Sequence, residues 1–364
     1  NKSNTELSDG SLVRIYSHSG KFLAIGHYQS SSIAVRILSF EDKLINADFF
    51  MGKLLQALDR RVSGGLVISS DNNCFRWING EGDGLPGLII DKYGELIVVQ
   101  FHSLGMFVQR ADILSAINAV NTTSQSVFFS FPDSYRREQL AEDIGYQQGL
   151  AKVHYVNENG MQFLVDPEKG QKTGFFLDQR DNREYLSKIA KGKKILNAFS
   201  YSGGFSVAAL KGGADLVHSV DVSPYACDLC EQHLKMNGFD PASNQVFTAD
   251  VMDFLKKSEV SYDIVILDPP AFAKSRKKSH NAVQAYKRLN MLGIKKVNRG
   301  GLLLTFSCSQ VVSRQLFEDT IRAAGIESNK SVHILKTLSA GIDHPVDLFH
   351  TEGHYLKGLV LEVN

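Results

Sequence analysis

From about residue 180 onward the chain alternates short apolar runs with amphipathic stretches, and this rhythm constrains the fold more than any other feature. The apolar runs are 194–199, 216–221, 245–248, 262–267 and 301–306, and helical spacing fills 204–211, 224–236, 251–257 and 280–297. Strands alternating with helices predict an α/β domain, a parallel sheet wound on both faces, because each parallel connection needs a crossover. In such a sheet ligands bind outside the carboxyl ends of the strands, near the point where strand order reverses. Function is therefore to be sought where those five runs end.

The preceding residues keep a different rhythm. Residues 12–17, 21–25 and 32–38 read as short strands with turns at Ser19-Gly20 and Gln29-Ser30-Ser31, a pattern that suits a small barrel-like module. In 41–62, Ile45, Phe49, Leu54, Leu55 and Leu58 recur at helical spacing. Strands return at 74–77, 87–91 and 95–101, separated by the turns DGLPG and DKYGE. Helical patterns follow at 103–120 and 133–142, then a hairpin over 151–165 around Glu158-Asn159-Gly160. This block reads as mixed α+β. The expected division is 1–70, 71–179 and 180–364.

Composition narrows the function classes. Forty Lys+Arg against 39 Asp+Glu leave a net charge of +1, which excludes a histone-like or basic-tail protein, so any nucleic-acid affinity must come from local clusters. Candidate clusters are Arg136-Arg137, Lys191-Lys193-Lys194 and Lys274-Arg276-Lys277-Lys278; each alone reads as a solvated face before an RNA contact, and the last has the better claim because it follows Asp268 so closely. Four cysteines in 364 residues do not make a disulfide framework and point to a reducing, cytoplasmic setting. No uncharged apolar run reaches the ~18–20 residues of a membrane span. The start, Asn1-Lys2-Ser3-Asn4, is not a signal peptide, and without an initiator Met the numbering is expected to omit an N-terminal segment.

The strand ends carry the chemistry. The first run leads through Asn197, Phe199 and Ser200 into Gly203-Gly204, a small turn before a helix where a ligand can approach the backbone. The second ends in Val220-Asp221-Val222-Ser223. Asp221, seventeen residues beyond Gly204, suits the two hydroxyls of a ribose; alternatively it caps the next helix, although Ser223 serves that purpose better. Asp250, after the third run, reads either as a partner for an adenine amine or as a helix cap. The fourth run ends in Asp268-Pro269-Pro270, where two prolines stiffen the loop and hold the carboxylate outward. The fifth ends in Ser307-Cys308-Ser309. A thiol at that end of the sheet is a candidate nucleophile, set against the commoner fate of a free cysteine as an inert buried group. Cys227 and Cys230, three apart on a helix with no second pair, read as packing, and no metal site is expected.

These motifs together resemble the class I S-adenosylmethionine-dependent methyltransferases. The run GQKTGFFLDQRDNR at 170–183 is similar to the entry into that domain in the RlmI-like family of 23S rRNA cytosine-C5 methyltransferases. DGLPGLIIDKYG at 83–94 resembles that family's central domain, GKFLAIGHY at 20–28 its PUA domain, and DHPV at 343–346 with HYLKG at 354–358 its tail. The chain departs from the family at Asn197, usually acidic, and at Ala271, often Lys. The resemblance implies a Rossmann-like methyltransferase domain behind an N-terminal PUA β-barrel-like domain and a central α+β domain. It implies S-adenosyl-L-methionine as cofactor and RNA, 23S rRNA in single-stranded or flipped form, as partner, and leaves a homodimer open. Cys308 and Asp268 would then be catalytic. Gln179, Arg180, Asn197, Phe199, Ser200, Gly203, Asp221, Val222, Ser223, Asp250 and Asp268 would hold the cofactor, and Pro269, Pro270 and Lys274 the substrate. The competing readings are the same fold acting on a guanine nitrogen or a small molecule, and a non-catalytic ribosome-assembly factor. A nicotinamide dehydrogenase gives the strand-end DPP and SCS runs no work.

Overall fold

The computed structural model describes residues 7–121, 125–131, 143–150, 153–272 and 279–364. They form two compact units. One comprises the described residues up to Asn157 with Val165–Leu177 and Ile342–Gly353; the other comprises Glu158–Leu164, Asp178–Gly341 and His354–Asn364. The expected helix at 133–142 and the clusters at 136–137 and 274–278, Lys274 among them, lie outside the described residues.

In the first unit, β1 (Leu12–Tyr16), β2 (Phe22–Tyr28) and β3 (Val35–Ser39) make an antiparallel sheet. Helix α1 (Ala47–Ser63) follows, its first turn capped by Asn46, whose side chain accepts from the Phe49 N–H. A second sheet takes the order β4 (Cys74–Asn79), β5 (Leu88–Tyr93), β6 (Leu96–Phe101), β7 (Ser126–Ser130) and β8 (Gly145–Gln148). The single helix expected over 103–120 is two, α2 (Leu104–Val108) and α3 (Arg110–Val120), with Gln109 ending one and opening the other. Ile25 and Leu38 of the first sheet share one core with Phe50 and Leu54 of α1 and Trp77, Phe101 and Phe129 of the second sheet. Strand β9 (His154–Glu158) closes this stretch, and the turn beyond it, in which Asn159 and Gly160 sit at φ 51° and 69°, leads to β10 (Met161–Val165), most of which belongs to the other unit. Asn-Gly is the pair that adopts two successive positive φ values at least cost.

The second unit is the alternating block. Its order is α4 (Arg180–Ile189), β11 (Lys194–Ala198), α5 (Gly204–Lys211), β12 (Leu216–Asp221), α6 (Pro224–Met236), β13 (Val246–Thr248) and α7 (Val251–Lys257). Then come β14 (Tyr262–Leu267), α8 (Ser279–Lys296), β15 (Val297–Ser307), α9 (Arg314–Ser328), β16 (Val332–Leu338) and β17 (Lys357–Val363). The seven strands lie in the order β13-β12-β11-β14-β15-β17-β16. The pairs β13–β12, β12–β11, β11–β14 and β14–β15 are parallel, as the alternation predicts. The last strand, β17, runs antiparallel between β15 and β16, an addition that the strand–helix rhythm does not announce. Leu196, Val220, Val265, Leu289, Phe317 and Leu359 pack into this unit's core. Strand order reverses between β11 and β14, so their carboxyl ends flank the crevice where this architecture binds ligands.

Candidate active site

Beyond β11 the chain makes a tight, strained turn. Phe199 and Tyr201 stand at φ 60° and 44°, and Gly203, which opens α5, at φ 77°. Two side chains held in the left-handed region within three residues store local strain of the kind found at ligand clamps. Asp221 anchors the turn: its Oδ2 accepts from the Tyr201 N–H and its Oδ1 from the Ser223 N–H, both at 2.9 Å. Each oxygen retains a second lone pair, so the carboxylate can still receive a pair of hydroxyls. The cap of α6 is Ser223, accepting from the Ala226 N–H, with Pro224 in the first turn. Val222 is largely exposed beside it. Asp250, exposed, caps α7 by accepting from the Asp253 N–H at 3.0 Å.

Asn197 and Ser200 supply the test of whether this crevice suits a sulfonium amino acid attached to a nucleoside. Both are buried. The Asn197 amide donates to Ser206 Oγ at 2.8 Å, and that hydroxyl shares a hydrogen bond with Ser219 Oγ at 2.7 Å. This leaves Asn197 Oδ1 and Ser200 Oγ without protein partners. Buried polar atoms are rarely left so. A carbonyl oxygen and a hydroxyl at the end of β11 suit an ammonium group, with Asp221 one strand away for a ribose. The residues present fit S-adenosylmethionine, and Asn197 offers an acceptor where an acidic side chain would stand.

The second half of the site grows from the ends of β14 and β15. Asp268 Oδ2 accepts from Gln179 Nε2 at 3.0 Å. Gln179 is itself oriented, because its Oε1 accepts from Asn182 Nδ2 at 2.6 Å, which turns the amide nitrogen toward Asp268. Gln179, Arg180 and Asn182 are all buried where α4 begins. Pro269 is buried and Pro270 exposed. Two residues further on, the Phe272 ring meets Tyr286 of α8 edge-on at 4.7 Å. Tyr286 also receives the Ser307 hydroxyl at 3.0 Å, so one fully buried phenol ties the DPP loop to the end of β15. Burial pushes that phenol well above its ordinary range, and the nearby Cys308 and Asp268 charges push the same way. Cys308, only partly buried, sends its thiol toward the Pro269 carbonyl with Sγ at 3.9 Å. The other thiols of this unit differ. Burial raises Cys227, and pushes Cys230 up to about 12, which suits packing.

The structure thus brings Gln179 to Asp268, Cys308 to Pro269, and Asp221 to the strained turn after Phe199. It adds Asn182, Tyr201, Tyr286 and Lys357, to which the sequence reading gave no role. A lysine heading the apolar run of β17 was the one signal available for the last of these. Among the described residues no cluster of His, Cys, Asp and Glu could hold a metal, and no helix is long and apolar enough to cross a membrane.

A seven-stranded sheet with one late antiparallel strand, an aspartate closing β12 and a strained turn after β11 define the class I methyltransferase fold. Residues 102–350 match the family of S-adenosylmethionine-dependent methyltransferases, and residues 1–40 match a PUA-like domain. The chain is 38% identical over 360 residues to ribosomal RNA large subunit methyltransferase I of Aeromonas salmonicida, covering 97% of this chain and 90% of that protein. The protein of the same name from Alteromonas mediterranea is 40% identical over 360 residues, with the same coverage. A SAM-dependent methyltransferase from Streptococcus mutans superimposes with a TM-score of 0.84 at 25% identity, covering 99% of this chain and 93% of that one. A methyltransferase complexed with SAH gives 0.85 at 26% identity over the same shares. The chain belongs to the S-adenosylmethionine-dependent methyltransferases, in the branch represented by the relatives named ribosomal RNA large subunit methyltransferase I.

Proposed function

We propose that this enzyme methylates carbon 5 of a cytosine in large-subunit (23S) ribosomal RNA, in the cytoplasm. The observation that carries the reading is the meeting of Cys308 with the Asp268-Pro269-Pro270 loop at the strand ends, beside the turn that suits the cofactor. The names of the relatives supply the RNA, and the PUA-like match supports it.

Carbon 5 of cytosine is a weak nucleophile, and covalent catalysis answers this. Cys308, as thiolate, would add to C6 and leave the C5–C6 π pair at C5, which would bond the methyl carbon as that carbon's bond to the sulfonium sulfur breaks, the electron pair staying on sulfur in a neutral thioether. Loss of the C5 proton to a base then expels the thiolate and restores the ring. Bound S-adenosylmethionine supplies an electrophilic methyl on a positively charged sulfur. Asp268, aimed by Gln179, faces the N3/N4 edge of the base and stabilises the protonated adduct. Pro269 and Pro270 give the base a flat apolar wall. Asp221 takes the ribose, Asp250 and Val222 lie toward the adenine, and Ser223 steadies the Asp221 loop. Asn197 and the turn through Phe199, Ser200 and Gly203 hold the methionine portion, with Gln179 and Arg180 closing the pocket. A base within a duplex cannot reach such a site, so the substrate is single-stranded or flipped out. We assign RNA affinity to residues 1–70 and a substrate contact to Lys274, six residues after Asp268 in sequence, with residues 71–179 acting as the central domain and 180–364 as the catalytic one.

The test uses RNA carrying 5-fluorocytosine, in which fluorine at C5 blocks the final elimination. Wild-type enzyme should form an adduct that survives a denaturing gel. Cys308→Ser should form none and lose turnover while keeping cofactor affinity, since a serine hydroxyl is hardly ionised near neutral pH. Near-normal methylation by Cys308→Ser rejects the C5 mechanism and points to another atom of the RNA.

A further inference from the structure

Lys357 is a buried charge to which the mechanism above gives no work. It heads β17, where antiparallel pairing sets it opposite Ser307, the neighbour of Cys308. It is 4% exposed. Its ammonium donates to two main-chain oxygens, those of Ser309 and Tyr355, each at 2.7 Å. Lysine is almost never so buried unless paired. Two carbonyls occupy two of its three N–H groups, but neither is an anion.

Four other groups bear on this corner. Asp268 lies beyond β14, Tyr286 comes from α8, Cys308 follows β15 and Arg314 opens α9. Ionised Asp268 repels a thiolate, and Arg314 is exposed. Within this group the buried cation beside Cys308 is therefore Lys357. Burial lowers the amine to about 8 and Arg314 acts the same way, while the charge of Cys308 acts against both.

We propose that Lys357 is a positioning residue for Cys308: clamped on the Ser309 carbonyl, it fixes the turn that presents the thiol and supplies the buried positive charge that favours the thiolate. The proposal deepens the cytosine-C5 reading and rests on it, because a nucleophilic cysteine needs ionising near neutral pH. A lysine serving only to satisfy two carbonyls would leave the ionisation of the thiol unchanged.

The experiment is iodoacetamide alkylation of the full-length protein across pH, with Cys308 followed by mass spectrometry. The wild-type midpoint should lie below the ordinary thiol value of about 8.5. Lys357→Met should raise it, slowing alkylation at pH 7 about tenfold or more, since one unit of midpoint is tenfold in thiolate. Lys357→Arg, which keeps the charge, should stay near wild type. A wild-type midpoint at or above 8.5, or an unchanged profile in Lys357→Met, overturns the proposal. Should Lys357→Met fail to fold, the wild-type midpoint alone decides. Alkylation needs no RNA, so the two ideas fail separately. A depressed midpoint without a fluorocytosine adduct removes the cytosine reading, whereas an adduct with an ordinary midpoint removes only the role of Lys357.

Discussion

Asp221 does two things at once, and its removal should show both. Its carboxylate holds the left-handed Tyr201 through one oxygen and the head of α6 through the other. In the function proposed above the same oxygens also receive the ribose hydroxyls. Asp221→Ala should weaken S-adenosylmethionine binding at least a hundredfold, because two charge-assisted hydrogen bonds worth about 1.5–3 kcal/mol each disappear. Calorimetric titration of the folded variant reads this directly, and unchanged affinity removes Asp221 from the site. The placement of Asp221, Asp268 and Cys308 at the carboxyl ends of the parallel strands was legible in the sequence because each closes or follows an apolar run. Asn182 and Tyr286 were not. Asn182 matters because it turns the amide of Gln179, and Tyr286 because its hydroxyl and ring meet Ser307 and Phe272, residues 21 and 14 positions away. Such roles arise from side-chain packing between elements, which periodicity does not encode.

At the scale of elements, the legible boundaries are those with local chemistry. Ser223-Pro224 opens α6 and Asp250 opens α7, each a capping residue at the start of the expected helix. Strand β17 was not among the five expected runs, and its place was not legible either, because inserting it antiparallel between β15 and β16 is a long-range pairing. The turn into α5 makes a sharper demand. Gly203 sits at φ 77°, and a Cβ there would lie 2.4 Å from Cys230 Sγ and 3.2 Å from its Cβ. Gly203→Ala should therefore cost about 1–2 kcal/mol for the backbone and about 1–3 kcal/mol for overpacking against α6. It should also weaken cofactor binding by displacing the turn. Adding Cys230→Ala should recover part of the packing loss and none of the backbone loss. Thermal unfolding of the two variants separates these contributions, and a Gly203→Ala protein as stable as wild type contradicts the argument.

The molecule as a whole is two units threaded by one chain that passes between them more than once. Residues 342–353 return to the first unit, where the Asp343 carbonyl accepts from Arg61 at 2.9 Å across 282 residues of sequence. Composition and rhythm gave no hint of this return, since DHPV carries no periodicity. Arg61 is the centre of the first unit's polar core. Its guanidinium pairs with Asp83 through two hydrogen bonds, at 2.9 and 2.7 Å, and both side chains are fully buried. It donates as well to the carbonyls of Ala57 and Arg76. Asp83→Ala should leave that cation uncompensated and cost about 3–5 kcal/mol. Adding Arg61→Met should restore only part, because the three carbonyls would then lose their donor. Asn197, Asp221, Gln179 and Asp268 belong to the other unit, which has its own core. Asp83→Ala should accordingly lower a calorimetric unfolding transition while S-adenosylmethionine affinity at 25 °C stays within twofold of wild type. A parallel fall in affinity would mean that the second unit does not hold its cofactor site independently of the first unit's core.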